Sequence, residues 1–294
     1  MTRPIVVVEI ERLNEAPAPE FVATLGAIYE HSPWVAELAS SRRPFASLRA
    51  LHDAMVECVT KADRQQQLAL IKAHPELAGA EAKAGSLTEA STSEQGRLGL
   101  TRLDRATLDQ LADLNRHYRE AFGFPCIIAL RKHQSAGSVL AAFERRLANT
   151  REQEIDTALA EIGDITRGRL ARMFGVEGGR LSTHVLDTEA GLSAGGMAYD
   201  LFVRDGEGWR HVTTGATNTQ GRTDHPLVSD IDLAPARYRL QFQVGDYYRR
   251  RGAAVAEPAF LDVVPIEFGV ADPARHYHVP LLCTQWSYST YRGS

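Results

Sequence analysis

Residues 174–180 read FGVEGGR, and they separate two stretches whose apolar residues recur at different periods. The segment carries three glycines and no rhythm of its own, which marks a linker. Upstream the period is helical. In TREQEIDTALAEIGDITRGRL (150–170), Thr150 and Gln153 stand at capping-box spacing, and Ile155, Leu159, Ile162 and Ile165 then recur every three or four residues. HSPWVAELA (31–39) offers Ser32 as an N-cap and Pro33 at the first helical position. ATLDQLADLNRHYREAFG (106–123) gathers Leu108, Leu111, Tyr118 and Phe122 near one face before Gly123 as a stop.

Downstream the period drops to two. RYRLQFQV (237–244) sets Tyr238, Leu240, Phe242 and Val244 on one face against Arg237, Arg239, Gln241 and Gln243 on the other. MAYDLFVRDGEGWRHVTTG (197–215) reads as two strands joined through Asp205 to Gly208. The expectation is an all-α domain over residues 1–173, a linker over 174–180 and an all-β two-sheet sandwich over 181–294.

Composition narrows the function classes. The 294 residues hold 44% hydrophobic and 24% charged side chains, values of a globular chain with room for two cores. A formal net charge of -4 argues against nucleic acid as a partner. No run approaches the roughly 18 apolar residues of a membrane span, and the opening MTRPIVVVEIERLNEAP turns acidic too soon for a signal peptide. The three scattered cysteines, Cys58, Cys126 and Cys283, fit reduced thiols, and cytoplasm is the expected location.

Single residues carry little by themselves. His184 lies in a strand-like segment before a turn, and Arg222 follows the turn signals Asn218 and Gly221; either is compatible with a solvated side chain. His276 and His278 share one face of a strand, but no spacing supplies a third metal ligand, so no metal is expected. Pro75 disfavours the α conformation at His74, placing that histidine at a helix C-terminus, where the dipole favours an imidazolium. By itself His74 reads better as a cap on the end carbonyls, and Ser91 with Glu94 as the start of a helix.

Taken together and in order, LSTHVLDT (181–188), TNTQGR (217–222), HYHVPLL (276–282) and YSTYRGS (288–294) resemble the 5-hydroxyisourate hydrolases, the enzymatic members of the transthyretin-like family. The closing YRGS is the hallmark of the hydrolases. The resemblance implies a sandwich that assembles as a tetramer, with catalysis by His184, Arg222 and His278, and with Tyr291 and Ser294 shaping the pocket. Water would attack a ring carbonyl, a histidine taking its proton and Arg222 facing the oxyanion; which histidine is the base stays open. Ser193 stands where the family usually has proline, and Gln220 where aspartate is common.

HSPWVAE (31–37), RPF (43–45), LALIKAHPELAG (68–79), STSEQ (91–95), LNRHYREAFGFPCIIAL (114–130) and RGRL (167–170) are similar to the decarboxylases of 2-oxo-4-hydroxy-4-carboxy-5-ureidoimidazoline, OHCU. That family is helical, usually dimeric and free of cofactor. The resemblance implies His74 as the catalytic acid with Glu94 its partner. Pro75, Ser91, Gln95, Arg169 and the main chain from Cys126 through Ile127 and Ile128 to Leu130 would bind substrate. Cys126 replaces the phenylalanine usual in FPF. The two resemblances imply successive steps of urate degradation, ending in (S)-allantoin and carbon dioxide, without cofactor. A small-molecule carrier with a helical docking domain is the alternative, and the retained histidines, Arg222 and YRGS count against it.

Overall fold

The computed structural model describes residues 10–79, 88–97 and 103–293. The chain divides into two compact units, Met1–Phe174 and Gly175–Ser294. The first is helical: α1 (Ile10–Glu15), α2 (Ala18–Leu25), α3 (Trp34–Ser40), α4 (Leu48–Lys61), α5 (Arg64–Lys72), α6 (Glu89–Arg97), α7 (Arg105–Phe122), α8 (Ala136–Arg146) and α9 (Arg151–Met173). Starts are set by side chains that accept orphan backbone N–H groups. Ser47 accepts from Ala50, Asp63 from Gln66 and Asp104 from Thr107, while Thr150 and Gln153 form the full reciprocal box. α7 ends at Gly123, whose φ of 80° is the left-handed stop its sequence predicts.

The start of α3 differs from expectation by one residue. Pro33 occupies the N-cap position with helical φ and ψ, and the Ser32 carbonyl accepts from Val35 at 3.2 Å. Proline's fixed φ already points the chain into the turn, so no Ser32 side-chain cap is required. α9 packs against α4, α5 and α7. It buries Ile155, Ala158, Ile162 and Leu170, and with them the polar Glu154, Thr166 and Arg169. Glu154 is fully buried, bonded by Tyr118, by Arg146 Nε at 2.8 Å and by Asn149 at 2.6 Å.

The second unit is a sandwich. One sheet has the order β5-β4-β7-β8, formed by β4 (Ala198–Asp205), β5 (Gly208–Ala216), β7 (Ala236–Gln243) and β8 (Val263–Val270). In β7, Tyr238, Leu240 and Phe242 are buried, as their alternation predicts, and Val244 continues the buried face into the short helix α10 (Val244–Arg250). The β4–β5 hairpin closes with Asp205 opposite Gly208.

Opposite lie short strands: β1 (Arg180–Ser182), β2 (Val185–Asp187), β3 (Leu192–Ser193), β6 (Val228–Ser229), β9 (His276–His278), β10 (Leu281–Cys283) and β11 (Tyr288–Ser289). β1 pairs parallel with β9, and β2 parallel with β10. These are two long strands interrupted at the same level. Val279 N–H still reaches Ser182 O, and Leu281 N–H reaches His184 O, each at 2.9 Å, so the ladder continues across the gap. Pro280, with no N–H to give, sits at the interruption. Among the described residues, no helix is long and apolar enough to cross a membrane.

Candidate active sites

In the β unit the strand interruption places His184. It forms an antiparallel bridge with Arg222, held from both sides by local bonds. Val185 N–H donates to Gly221 O at 2.8 Å, and Gly221 has φ of 70° with its missing Cβ facing the Val185 carbonyl. Any side chain at 221 would collide with that carbonyl, so the turn depends on glycine. Asn218 Oδ1 accepts from the N–H groups of Gln220 at 3.0 Å and Arg222 at 3.2 Å. This Asx turn explains why TNTQGR positions an arginine.

His278 lies on β9 opposite Ser182, and Arg180 opposite His276. Ser182 Oγ is 2.7 Å from His276 Nε2 and 2.9 Å from His278 Nδ1. The C-terminal segment returns here. Gly293 bridges His278, its N–H donating to the His278 carbonyl at 2.9 Å, and a Cβ on Gly293 would stand 2.6 Å from His278 Cδ2. Arg292 lies over the Tyr277 ring at 4.5 Å. Tyr291 is exposed in the single chain, and Ser294 lies outside the described residues.

Burial pushes the pKa of His184 down, and the Arg222 guanidinium adds to it. Burial lowers His278 too, followed by Arg222, His276 and His184. The unperturbed imidazole is already mostly neutral at pH 7, so both rings are bases there rather than cations. Two supporting residues escaped sequence reading. Ser182 is one; its place two residues before His184, on an alternating strand, was the available signal. Asp187, in the same LSTHVLDT motif, is buried and accepts from Tyr247 at 3.1 Å, from Tyr248 at 2.9 Å and from the N–H groups of Glu189 and Ala190. It anchors the far end of the strand that carries His184. Among the described residues, no three His, Cys, Asp or Glu side chains form a metal-ligand group.

In the helical unit α5 ends one residue before Ala73, and His74 follows. Its Nδ1 bonds the Leu70 carbonyl at 2.9 Å. A carbonyl only accepts, so Nδ1 carries the proton and Nε2 is a bare lone pair. Nε2 is buried and has no hydrogen-bond partner among the described residues, and the residue is 6% exposed. The expected imidazolium is overturned. Burial drives the pKa to about 4, with Arg169 adding repulsion, against the pull of the Leu70 carbonyl. Desolvating a cation costs more than a helix C-terminus returns.

Arg169, on α9, gathers the rest. Its fork donates to Glu94 at 2.9 and 3.1 Å, to Ser91 Oγ at 3.2 Å and to the Ile28 carbonyl at 3.2 Å, and it pairs with Glu30 at 2.8 Å. Ser91 Oγ donates to Glu30 at 3.1 Å. Ser91, Glu94 and Gln95 project from one side of α6, as i, i+3, i+4 spacing requires. Gln95 accepts from Ala78 N–H at 2.9 Å and so clamps the segment after His74, which Asn115 also holds through the Leu77 carbonyl at 2.9 Å. Half-buried Pro75 begins that segment.

Glu94 is thus paired with Arg169, and among the described residues the second nitrogen of His74 bonds neither it nor any other group. Glu30, which sequence reading passed over, is 3% exposed. Burial raises its pKa, but bonding to Thr88 and the charge of Arg169 prevail and hold it low. It stands directly before HSPWVAE, and its apolar neighbours Ile28 and Tyr29 were the only hint of burial. A cavity of about 660 Å³ is bordered by Gly26, Ile28, Glu30, His31, Thr88 and Arg169.

Cys126, Ile127 and Ile128 are buried. The Ile127 carbonyl accepts from Arg146, and Ala129 N–H donates to Glu161 at 2.6 Å, so two main-chain groups of the expected substrate-binding run are bonded internally. Burial pushes the Cys126 thiol up to about 12.

Comparison with known proteins assigns both units. The OHCU decarboxylase model matches residues 14–171, and the HIUase/Transthyretin family model matches residues 181–293. 5-Hydroxyisourate hydrolase 2 of Rhizobium meliloti (strain 1021) is 48% identical over 116 residues, which are 40% of this chain and 97% of that protein. The 2-oxo-4-hydroxy-4-carboxy-5-ureidoimidazoline decarboxylase of Haloferax volcanii is 40% identical over 168 residues, 57% of this chain and 97% of its own. A crystal structure of (S)-allantoin synthase, 33% identical, covers 98% of this chain and 100% of its own, with a TM-score of 0.52. The chain therefore belongs to the OHCU decarboxylase family through its helical unit and to the HIUase/transthyretin family through its β unit.

Proposed function

We propose that this chain is a bifunctional enzyme of urate degradation. Its β unit hydrolyses 5-hydroxyisourate to OHCU, and its helical unit decarboxylates OHCU to (S)-allantoin and carbon dioxide. The observation that carries this reading is the presence of both families in one chain, each matched over nearly its whole length.

In the hydrolysis, water bonds to a ring carbonyl carbon as a neutral histidine, His184 or His278, takes its proton. Arg222 faces the oxygen on which negative charge grows. The ring C–N bond then breaks, and the histidine returns the proton to the departing nitrogen. Tyr291 and Ser294 complete the pocket wall. Copies assemble through the β unit, a reading supported by the exposure of Leu192, Trp286, Tyr288 and Tyr291.

In the decarboxylation, the electrons of the breaking C–C bond move into the ring, toward the adjacent imine, whose nitrogen takes a proton from solvent, and leave an enol. His74 then acts as acceptor before donor: bare Nε2 takes the enol proton, and the resulting imidazolium delivers it to the neighbouring carbon on one face. The neutral, low-pKa ring supports this order. Arg169, Ser91 and Gln95 orient the substrate, with Glu94 and Glu30 as counter-charges to Arg169.

The test generates 5-hydroxyisourate from urate with urate oxidase and follows ultraviolet absorbance and circular dichroism together. Wild type should accelerate the absorbance decay and build one allantoin enantiomer. Decay at the spontaneous rate would overturn the hydrolase, and racemic product would overturn the decarboxylase.

A further inference from the structure

Ser182 and His276 have no part in the chemistry above, yet they form a bonded chain with His278. The parallel register of β1 and β9 puts Ser182 opposite His278 and turns all three side chains to one face. The bonds are 2.7 Å from Ser182 Oγ to His276 Nε2 and 2.9 Å to His278 Nδ1. With Nδ1 occupied, His278 can offer only Nε2 to a reactant, and Gly293 packed against Cδ2 restricts the ring plane. His276, half-buried, lines a surface cavity with Arg275, Arg292 and Gly293.

A serine hydroxyl has one proton. It donates to one ring and accepts from the other, so the tautomers of the two neutral histidines are coupled. If Ser182 donates to His276, it accepts Nδ1–H of His278, and His278 Nε2 is a bare base. If Ser182 donates to His278, then His278 Nε2 carries a proton and is an acid. The first passes to the second when both shared protons move toward His276 and a new proton enters at His278 Nε2, which leaves His276 with one proton more.

We propose that Ser182 and His276 are positioning residues that form a proton relay, switching His278 from base to acid during hydrolysis. The inference rests on the reading that His278 acts in that reaction. His278 Nε2 takes a proton from water as the new C–O bond forms; Nδ1–H passes to Ser182 Oγ, whose own proton passes to His276 Nε2. His278 is then neutral with Nε2 protonated, the positive charge rests on His276 and the negative charge on the oxyanion facing Arg222. When the ring C–N bond breaks, Nε2–H goes to the leaving nitrogen and the other two protons run back. The relay keeps the positive charge off His278, where burial and then Arg222 disfavour a cation, and moves it to His276, which burial and Arg180 also push toward the neutral form.

Steady-state hydrolysis and its proton inventory in H2O–D2O mixtures test this on the full chain. Ser182→Ala and His276→Phe should each lower kcat about 10–100-fold, less than outright loss of an acid–base group, with KM moving less than about twofold. The double variant should be no slower than the slower single one, and Ser182→Thr, which keeps the hydroxyl and guards against a folding defect, should restore most of kcat. The inventory should be bowed for wild type and straight for Ser182→Ala. Unchanged kcat, additive losses or a straight wild-type inventory would each overturn the relay. His278→Ala separates the two claims: its full activity would remove the underlying reading, whereas its inactivity beside an unimpaired Ser182→Ala would remove the relay alone.

Discussion

His74 is 6% exposed, and among the described residues its outward nitrogen has no hydrogen-bond partner, whereas His278 is half-buried in a chain of hydrogen bonds. One ring is kept neutral by removing water, the other by partial burial beside Arg222 and two more histidines. Their supports differ as well. The β site hangs on a backbone ladder that crosses a strand interruption, so its geometry is set by main-chain bonds and by glycines that admit close approach. The helical site hangs on side chains, an arginine with two carboxylates and a serine. A neutral imidazole is held in place once through the backbone and once beside buried charge.

The sharpest way to break that comparison is to remove each histidine. His74→Ala should cut enzymatic decarboxylation by about 10²–10⁴ and leave hydrolysis at the wild-type rate, while His184→Ala should do the reverse. Circular dichroism of the allantoin and absorbance of 5-hydroxyisourate read the two separately. Loss of both activities in either variant would mean the sites are not independent.

The next effect is on stability. Arg146→Met leaves Glu154 charged and fully buried without its cation, a change that should cost about 3–5 kcal/mol and lower the urea midpoint of the helical unit. It should also loosen the Cys126–Ile128 segment, whose Ile127 carbonyl depends on Arg146. An unchanged midpoint would show that Tyr118 and Asn149 suffice to hold Glu154.

How much of this was legible in the sequence follows from the range of each signal. Strand β7, the β4–β5 hairpin and the Thr150 capping box are written in adjacent residues, and each formed as its local pattern requires. Glu30 and Ser182 were not legible, because their partners lie far along the chain: Ser91 is 61 residues from Glu30, and His278 is 96 from Ser182. The protonation of His74 failed for a related reason. The helix-end dipole is local and visible in sequence, but the desolvation that overrides it depends on what packs around the ring.

That reversal has a measurable pH signature. The folded pKa of His74 is about 4 and its ordinary value 6.5, so between those pH values the unfolded chain binds more protons than the folded one. Stability should therefore fall as pH is lowered from 6.5 toward 4 and be flat in this respect above 6.5. The contribution is on the order of 3 kcal/mol. In urea titrations across that window wild type should lose stability toward pH 4 while His74→Gln, which cannot take the proton, should not, so the difference between them changes with pH if the buried neutral ring is the cause; parallel curves would sink it. Hydrolysis gives the matching test. His184 and His278 are also lowered, so its acid limb should fall below pH 6.5, activity declining as the bases protonate.

The smallest effects sharpen the contrast most. Asp63 caps α5 by accepting from Gln66 at 2.8 Å, at the opposite end of the helix from His74. Asn218 performs the same local service in the Arg222 turn. Alanine at either position removes a side-chain acceptor for backbone N–H and should cost about 1 kcal/mol. Their effects on activity should differ. His74 is fixed by Leu70, and its following segment by Gln95 and Asn115, so Asp63→Ala should leave decarboxylation within about twofold. Arg222 has its place on the Asn218 turn, so Asn218→Ala should lower hydrolysis about tenfold, through loss of orientation at the oxyanion. Equal losses of stability with unequal losses of rate would mean that the β site takes its geometry from the backbone. If Asp63→Ala slows decarboxylation as much as Asn218→Ala slows hydrolysis, the helical site depends on its helix ends too, and the contrast with the β site narrows to charge alone.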